Sequence, residues 1–266
     1  MLWLQLVAIG PLAYLGTRAG LRVGRSARWW AAFAAALAWV GLVIAGHRLP
    51  ALSLVPPVSW AVDVTVAPFL MAFLIPAMFA ALVPRLPKQR RTFITVVTGL
   101  MVINYALLPA ACPLAVRPAL EVTRTKFDPH GVCLQTHPYT CGPSATVTCL
   151  RTLGVAGDEG PLSIAARCGP MVGTDARFLA GTVNGLYGDQ GVRAECRYER
   201  SVETLRVPAV VAMDMPVIGG HFIAVLKVTE KEVLVGDPYS GRGRLSRQDF
   251  EQFWTGITIT FRREGR

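Results

Sequence analysis

Three stretches of the sequence, residues 29–46, 64–83 and 92–112, run for 18, 20 and 21 residues without a formal charge. At 1.5 Å per residue each reaches across about 30 Å of hydrocarbon. Lipid offers no partner for a bare peptide group, so such segments are expected to be helices. A fourth uncharged run, 1–16, is shorter and holds Gly10 and Pro11, and it reads as a first span. A cleaved signal peptide is its rival reading. That run has no basic start, and Arg18, Arg22, Arg25 and Arg28 come after it where a small-residue cleavage site would be needed. Buried helices of a soluble domain are the alternative for all four. A charge at a span centre costs about 3 kcal/mol, and all four windows avoid one.

Charge then divides the chain. Residues 1–112 carry nine basic side chains and one acid, Asp63, whereas 113–266 carry eighteen and sixteen, so most of the formal +10 belongs to the first part. Cations confined to loops between apolar runs fit a bilayer as partner. The near balance of the second part leaves no footprint for nucleic acid. The loop after the first run has four Arg, the loop after the second only Arg48, and the loop after the third Arg85, Lys88, Arg90 and Arg91. Cytoplasmic loops retain such charge, so loops one and three are expected inside and loop two outside, with the last span delivering the C-terminal part of the chain to the extracytoplasmic side. Pro68 and Pro76 are expected to kink the third span. No ionisable residue sits in mid-span, which favours a plain anchor over a channel or carrier. The expected organisation is a membrane anchor over 1–117 with about four transmembrane helices, then a soluble domain over 118–266.

Beyond Pro118 the pattern changes to short elements. Helices are expected over 141–153 with Thr140 as cap, over 162–168, and over 175–187 with Thr174 as cap. Extended segments come next at 192–198, 209–213, 221–228, 233–236 and 257–261. Ser246 with Asp249 resembles a capping box opening a short helix that includes Phe250 and Phe253. Helices first and a mostly antiparallel sheet afterwards make an α+β domain.

The chemistry concentrates at four residues. Cys141 stands where a helix begins, and a thiol that faces unpaired N–H groups and the positive end of the helix dipole favours its thiolate form. Gln135 lies six positions earlier, on a loop able to bring its amide NH2 alongside the Cys141 N–H. Two donors converging on one point make an oxyanion hole. The segments 221–228 and 233–236, joined by the polar turn 229–232, form a hairpin whose open end sets His221 beside Asp237. A histidine oriented by a carboxylate and opposite such a cysteine is the arrangement covalent thiol catalysis requires. The bland readings are a structural cysteine, a solvent-facing glutamine, a packed histidine and a turn-forming aspartate before Pro238. Each stands by itself, but together they need several coincidences.

Gln135 to Cys141 with Gly142, Pro143 and Ser144, then Gly220, His221, Phe222, Ile223, Ala224 and Val225, then Val235, Gly236, Asp237 and Pro238 resemble, in order and spacing, the bacterial C39 cysteine peptidases. The resemblance covers roughly residues 130–262, including 250–254 as the closing helix. It implies a papain-like fold, a Cys141, His221 and Asp237 triad, Gln135 as oxyanion donor, and neither cofactor nor metal. The best-known members of that family stand at the N-terminus of ABC exporters and cut leader peptides in the cytosol after paired glycines. Here the domain is C-terminal, no G-x-x-x-x-G-K-[ST] loop occurs, and the charge rule puts the domain outside. The expected protein is therefore a multi-pass peptidase of the bacterial inner (cytoplasmic) membrane. Its domain is extracytoplasmic, its substrate is a peptide or protein, and a separate transporter is a candidate partner. A thiol acyltransferase or transglutaminase-like enzyme and a catalytically silent peptide-binding module are the alternatives.

The remaining cysteines of the domain, Cys133, Cys149, Cys168 and Cys196, leave one or two disulfides open. Cys149 cannot reach Cys141, since eight helical residues set them about 12 Å apart. A zinc site of His130, Cys133, His137 and Cys141 fits no ribbon or finger spacing and would consume the nucleophile.

Overall fold

The computed structural model describes residues 2–27, 29–215 and 219–264. Met1, at the start of the first apolar run, and Arg28, in the first basic loop, lie outside the described residues. The chain divides into two compact units, Met1–Ala115 and Val116–Arg266.

The first unit is built from α1 (Leu2–Gly24), α2 (Trp29–Arg48), the short α3 (Val58–Val62), α4 (Ala67–Leu82) and α5 (Lys88–Val102), and the unit boundary falls inside α6 (Leu108–Glu121). Three segments among the described residues are long and apolar enough to cross a membrane: Trp29–Gly46, Ala67–Arg85 and Lys88–Glu121. α1 is not one of them. It runs past Gly16 and takes Arg18 and Arg22 into the helix, so most of the expected first loop is helical. Arg18 reaches back one turn to hydrogen-bond the Tyr14 hydroxyl at 2.9 Å. Pro68 falls in the first turn of α4, where a missing N–H costs nothing, so of the two prolines expected to kink this span only Pro76 lies within the helix interior. Between α5 and α6 the turn Ile103–Leu107 is π-helical. Pro109 lies four positions after Tyr105, and the wider turn makes room where its ring would otherwise meet the Tyr105 carbonyl.

α1 and α4 approach more closely than side chains would permit. A Cβ placed on Gly16, Gly20 or Gly24 would lie 2.2, 2.2 or 2.3 Å from the carbonyl oxygens of Phe73, Ala77 and Ala81. Both sets repeat every four residues, the small-residue pattern by which helices bring their backbones together. Gly20→Leu is therefore expected to destabilise the first unit by about 1–3 kcal/mol. Gly10→Leu is the control, because a Cβ there meets nothing within 4 Å. Thermal unfolding of the full chain in detergent reads the difference, and equal midpoints would refute the close approach.

The second unit is α+β. A small ladder of β1 (Lys126–Phe127) and β2 (Cys133–Leu134) precedes α7 (Cys141–Thr152), α8 (Glu159–Ala165) and α9 (Ala176–Tyr187). Then come β3 (Val192–Tyr198), β4 (Ala209–Met215), β5 (Gly219–Val228), β6 (Glu232–Asp237), β7 (Gly241–Ser246), α10 (Arg247–Phe253) and β8 (Trp254–Arg263). The six-stranded sheet has the order β3-β8-β4-β5-β6-β7, and every neighbouring pair is antiparallel. On one face Val210, Ala224, Ile259 and Phe261 pack with Val147, Leu150, Leu162, Leu179 and Val183 of the helices. On the other, Val211, Met213, Ile223, Val225 and Val235 pack with Val202, Leu205 and Phe250. Burial on both faces is why β4 and β5 read as continuous apolar runs. Residues 141–150 of α7 are all buried, which makes it the central helix of the unit.

Two caps differ from expectation. The α9 cap is Asp175, whose Oδ1 accepts the Phe178 N–H at 2.7 Å, not Thr174. Thr140 holds the cap position of α7, but its side chain makes no cap bond. The helix expected over 162–168 begins earlier, at Glu159.

Candidate active site

Cys141 opens α7 and is 8% exposed. The adjacent Gly142 has a steric reason: a Cβ there would stand 2.8 Å from Thr174 Cγ2, so the loop before α9 closes against the start of α7. Pro143 fits the first helical turn, where its missing N–H is no loss.

His221 and Asp237 are set by the sheet. Antiparallel pairing of β5 with β6 puts Ala224 opposite Gly236, which brings the start of one strand diagonally across from the end of the other on the same face. His221 Nε2 and Asp237 Oδ1 are 2.8 Å apart. The same Oδ1 accepts the Tyr239 N–H at 2.8 Å, and Oδ2 accepts the Ser240 hydroxyl at 2.7 Å. The imidazole also lies within hydrogen-bonding reach of the Cys141 sulfur, eighty positions earlier in the chain. With Nε2 committed to Asp237, Nδ1 is the nitrogen left to serve that sulfur.

Electrostatics derive from these contacts. Burial pulls the His221 pKa down, but the hydrogen bond to Asp237, then the hydrogen bond and charge of Cys141, outweigh it and carry the group up to about 9. Burial likewise opposes ionisation of Asp237, and the bonds from His221, the Tyr239 N–H and Ser240 hold its carboxyl below the usual range. The arrangement suits a protonated imidazole between two acids, one a carboxylic acid and one a thiol.

Gln135 comes directly after β2, and its backbone N–H donates to the Pro238 carbonyl at 2.8 Å, tying it to the residue after Asp237. Its side-chain Oε1 is buried without a protein hydrogen-bond partner. The loop from Gln135 to Cys141 has an anchor that sequence reasoning missed. Glu159 is fully buried and accepts hydrogen bonds from Thr136 and Thr140. In sequence it falls in the stretch before the helix expected over 162–168, and nothing nearby signals partners some twenty positions away.

All six cysteines are free, so neither of the disulfides left open is formed. Burial pushes the thiols of Cys133, Cys168 and Cys196 up to about 12, and that of Cys149 further. Two of the four residues weighed as a zinc set are engaged elsewhere: His137 stacks on Tyr139 and bonds the Thr123 hydroxyl at 3.1 Å, while Cys133 packs in the core. Among the described residues no group of three or more His, Cys, Asp or Glu side chains is placed to hold a metal ion.

The sequence profile of the peptidase C39 family matches residues 131–265. An uncharacterized protein of Methanothermobacter marburgensis is 31% identical over 137 residues, covering 49% of this chain and 87% of that one. An uncharacterized protein of Methanothermobacter thermautotrophicus is 28% identical over 149 residues, covering 53% and 95%. Among solved structures, a double glycine motif protease from an AMS/PCAT transporter, in complex with the leader peptide, is similar at 18% identity and a TM-score of 0.43, covering 53% of this chain and 95% of that one. The peptidase domain of Streptococcus ComA, a bi-functional ABC transporter involved in quorum sensing, is similar at 18% identity and a TM-score of 0.43, covering 49% and 96%.

Proposed function

This chain belongs to the peptidase C39 family, and on that premise we propose that it is a membrane-anchored cysteine peptidase using a Cys141, His221 and Asp237 triad. The observation that carries the reading is the 2.8 Å bond between His221 and Asp237, together with the electrostatic coupling of the same ring to the Cys141 thiol.

His221 takes the thiol proton, and the sulfur attacks the carbonyl carbon of the scissile peptide bond. The electron pair moves to the carbonyl oxygen, which the Cys141 N–H and the Gln135 side-chain amide stabilise. As the intermediate collapses the C–N bond breaks, and His221 gives its proton to the leaving amine. Water, deprotonated by His221, then hydrolyses the acyl-thioester, releasing the second fragment as a carboxylic acid and restoring the thiol. Asp237 orients the ring and stabilises its charged form throughout. Each step uses side chains of this chain and needs no cofactor.

The anchor is assigned to 1–117 with four spans. α1 counts among them through its glycine face against α4, although Arg18 and Arg22 shorten its apolar length. The cations Arg18, Arg22 and Arg25, and again Arg85, Lys88, Arg90 and Arg91, mark the cytoplasmic side, so the peptidase domain at 118–266 works outside. Its substrate is a peptide or protein segment presented at the outer face of the membrane. A quantitative comparison of extracytoplasmic peptide termini tests the reading. Active protein is expected to yield a set of new termini that Cys141→Ala does not. Identical termini would overturn it, and crosslinked products in place of cleaved ones would indicate acyl transfer instead.

A further inference from the structure

We propose that Glu159 is the positioning residue of the oxyanion site, holding both donors through one carboxylate; the inference rests on the peptidase reading above. The two donors, the Gln135 amide and the Cys141 N–H, flank the connection 136–140. Glu159 Oε1 accepts the Thr136 N–H at 2.7 Å and the Thr140 hydroxyl at 2.6 Å, and Oε2 accepts the Thr136 hydroxyl at 2.7 Å. One side chain is thus bonded to the residue directly after Gln135 and to the residue directly before Cys141. Glu159 is 0% exposed and Thr140 is buried with it, so the bond between them forms away from competing water.

The carboxylate is itself fixed. Its backbone N–H donates to the Thr125 hydroxyl at 2.9 Å, and the Ser163 hydroxyl donates to its carbonyl at 2.7 Å. On the opposite side the Gln135 N–H is held by Pro238 at 2.8 Å. The backbone of Gln135 is therefore clamped between the Glu159 anchor and the strand end that carries Asp237. The chemistry of the anchor is specific. An apolar side chain of similar size takes the acceptor from the Thr136 N–H and hydroxyl and leaves the Thr140 hydroxyl only the His137 carbonyl at 2.9 Å, which frees the Thr136 end of the loop. Glutamine can still accept from the Thr136 N–H and the Thr140 hydroxyl on its oxygen and donate its NH2 to the Thr136 hydroxyl, which turns round.

Two reagents separate this role from general stability. Iodoacetamide alkylates the Cys141 sulfur by displacing iodide from a saturated carbon and forms no oxyanion. A glycine-terminated peptide aldehyde takes the sulfur at its carbonyl carbon, and the hemithioacetal oxygen occupies the oxyanion site. Aldehyde affinity is read on the full chain in detergent as protection of Cys141 from iodoacetamide. Glu159→Leu is expected to weaken aldehyde binding about 10-fold or more while leaving direct alkylation within about twofold. Glu159→Gln is expected to retain aldehyde affinity within about threefold, and Thr136→Val, which removes only the Oε2 donor, to fall between. Unchanged aldehyde affinity in Glu159→Leu would overturn the proposal, as would a parallel loss of alkylation and aldehyde binding in both Glu159→Leu and Thr136→Val. If the unaltered protein shows no aldehyde protection at Cys141, the peptidase reading itself has failed and this inference falls with it.

Discussion

Cys141→Ala and His221→Ala are each expected to lower peptide turnover by about 10⁴-fold or more, and the double variant by no more than the worse single. The reason is that in the proposed mechanism sulfur and imidazole act as one unit. Without the sulfur the imidazole has no nucleophile to activate, and without the imidazole the thiol keeps its proton and the leaving amine has no acid. Iodoacetamide gives an independent reading of the same pair: rapid modification of the unaltered protein, none at this position in Cys141→Ala, and a slowed rate in His221→Ala. The signal stands clear of the neighbouring thiols, because burial pushes Cys133, Cys168 and Cys196 up to about 12. Losses that multiply in the double variant would mean two independent contributions, and the covalent mechanism would not survive that result.

The parts of this fold that depend on local pattern are legible in the sequence. β3 spans 192–198 as expected, and β5 and β6 contain the expected segments, because apolar runs separated by a polar turn leave little choice of pairing. Once that hairpin is read, the strand ends carrying His221 and Asp237 are neighbours, but it is the bulge between Val225 and Lys227, which the sequence does not announce, that turns the two side chains onto one face. β7 is not legible: its residues, Gly-Arg-Gly-Arg-Leu-Ser, lack apolar alternation, and the strand exists because β6 offers it an edge. Thr174 and Asp175 are both competent caps, and the choice is tertiary. Thr174 faces the Cys168 sulfur at 3.2 Å and lies against Gly142, which leaves Asp175 to receive the helix N–H. Glu159 is the extreme case. Its partners come from a loop that the sequence places before α7, and only the packing of α7, α8 and that loop into one core makes the acid a bolt instead of a surface charge. In the first unit, length and charge identify the apolar runs, but the register of Gly16, Gly20 and Gly24 acquires meaning only opposite Phe73, Ala77 and Ala81.

Asp237→Ala is expected to lower kcat/KM at neutral pH by about 10²-fold or more and to move the alkaline limit of activity, set near 9 by His221, toward lower pH. Burial by itself would drive the imidazolium to shed its proton below the ordinary 6.5, and the bond to Asp237 is the first of the contacts that reverse this. Because the folded value lies above the ordinary one, the stabilisation from this proton is complete below about 6.5 and is lost as pH rises through about 9. Asp237 has the opposite sign: its depressed carboxyl contributes fully above the ordinary 3.8, and the contribution disappears as pH falls through the lower folded value. Removing the carboxylate therefore flattens both the alkaline and the acid dependence of stability, while activity loses its upper range. Asp237→Asn separates orientation from charge. Its carbonyl oxygen still accepts from His221 Nε2 and from the Tyr239 N–H, so the ring stays aimed at the sulfur, but the imidazolium loses its counter-charge. Its alkaline limit should fall between those of the unaltered protein and the alanine variant. Profiles of kcat/KM against pH for the three proteins decide the matter: a limit that stays near 9 in Asp237→Ala would reduce this aspartate to a former of the turn through Tyr239 and Ser240.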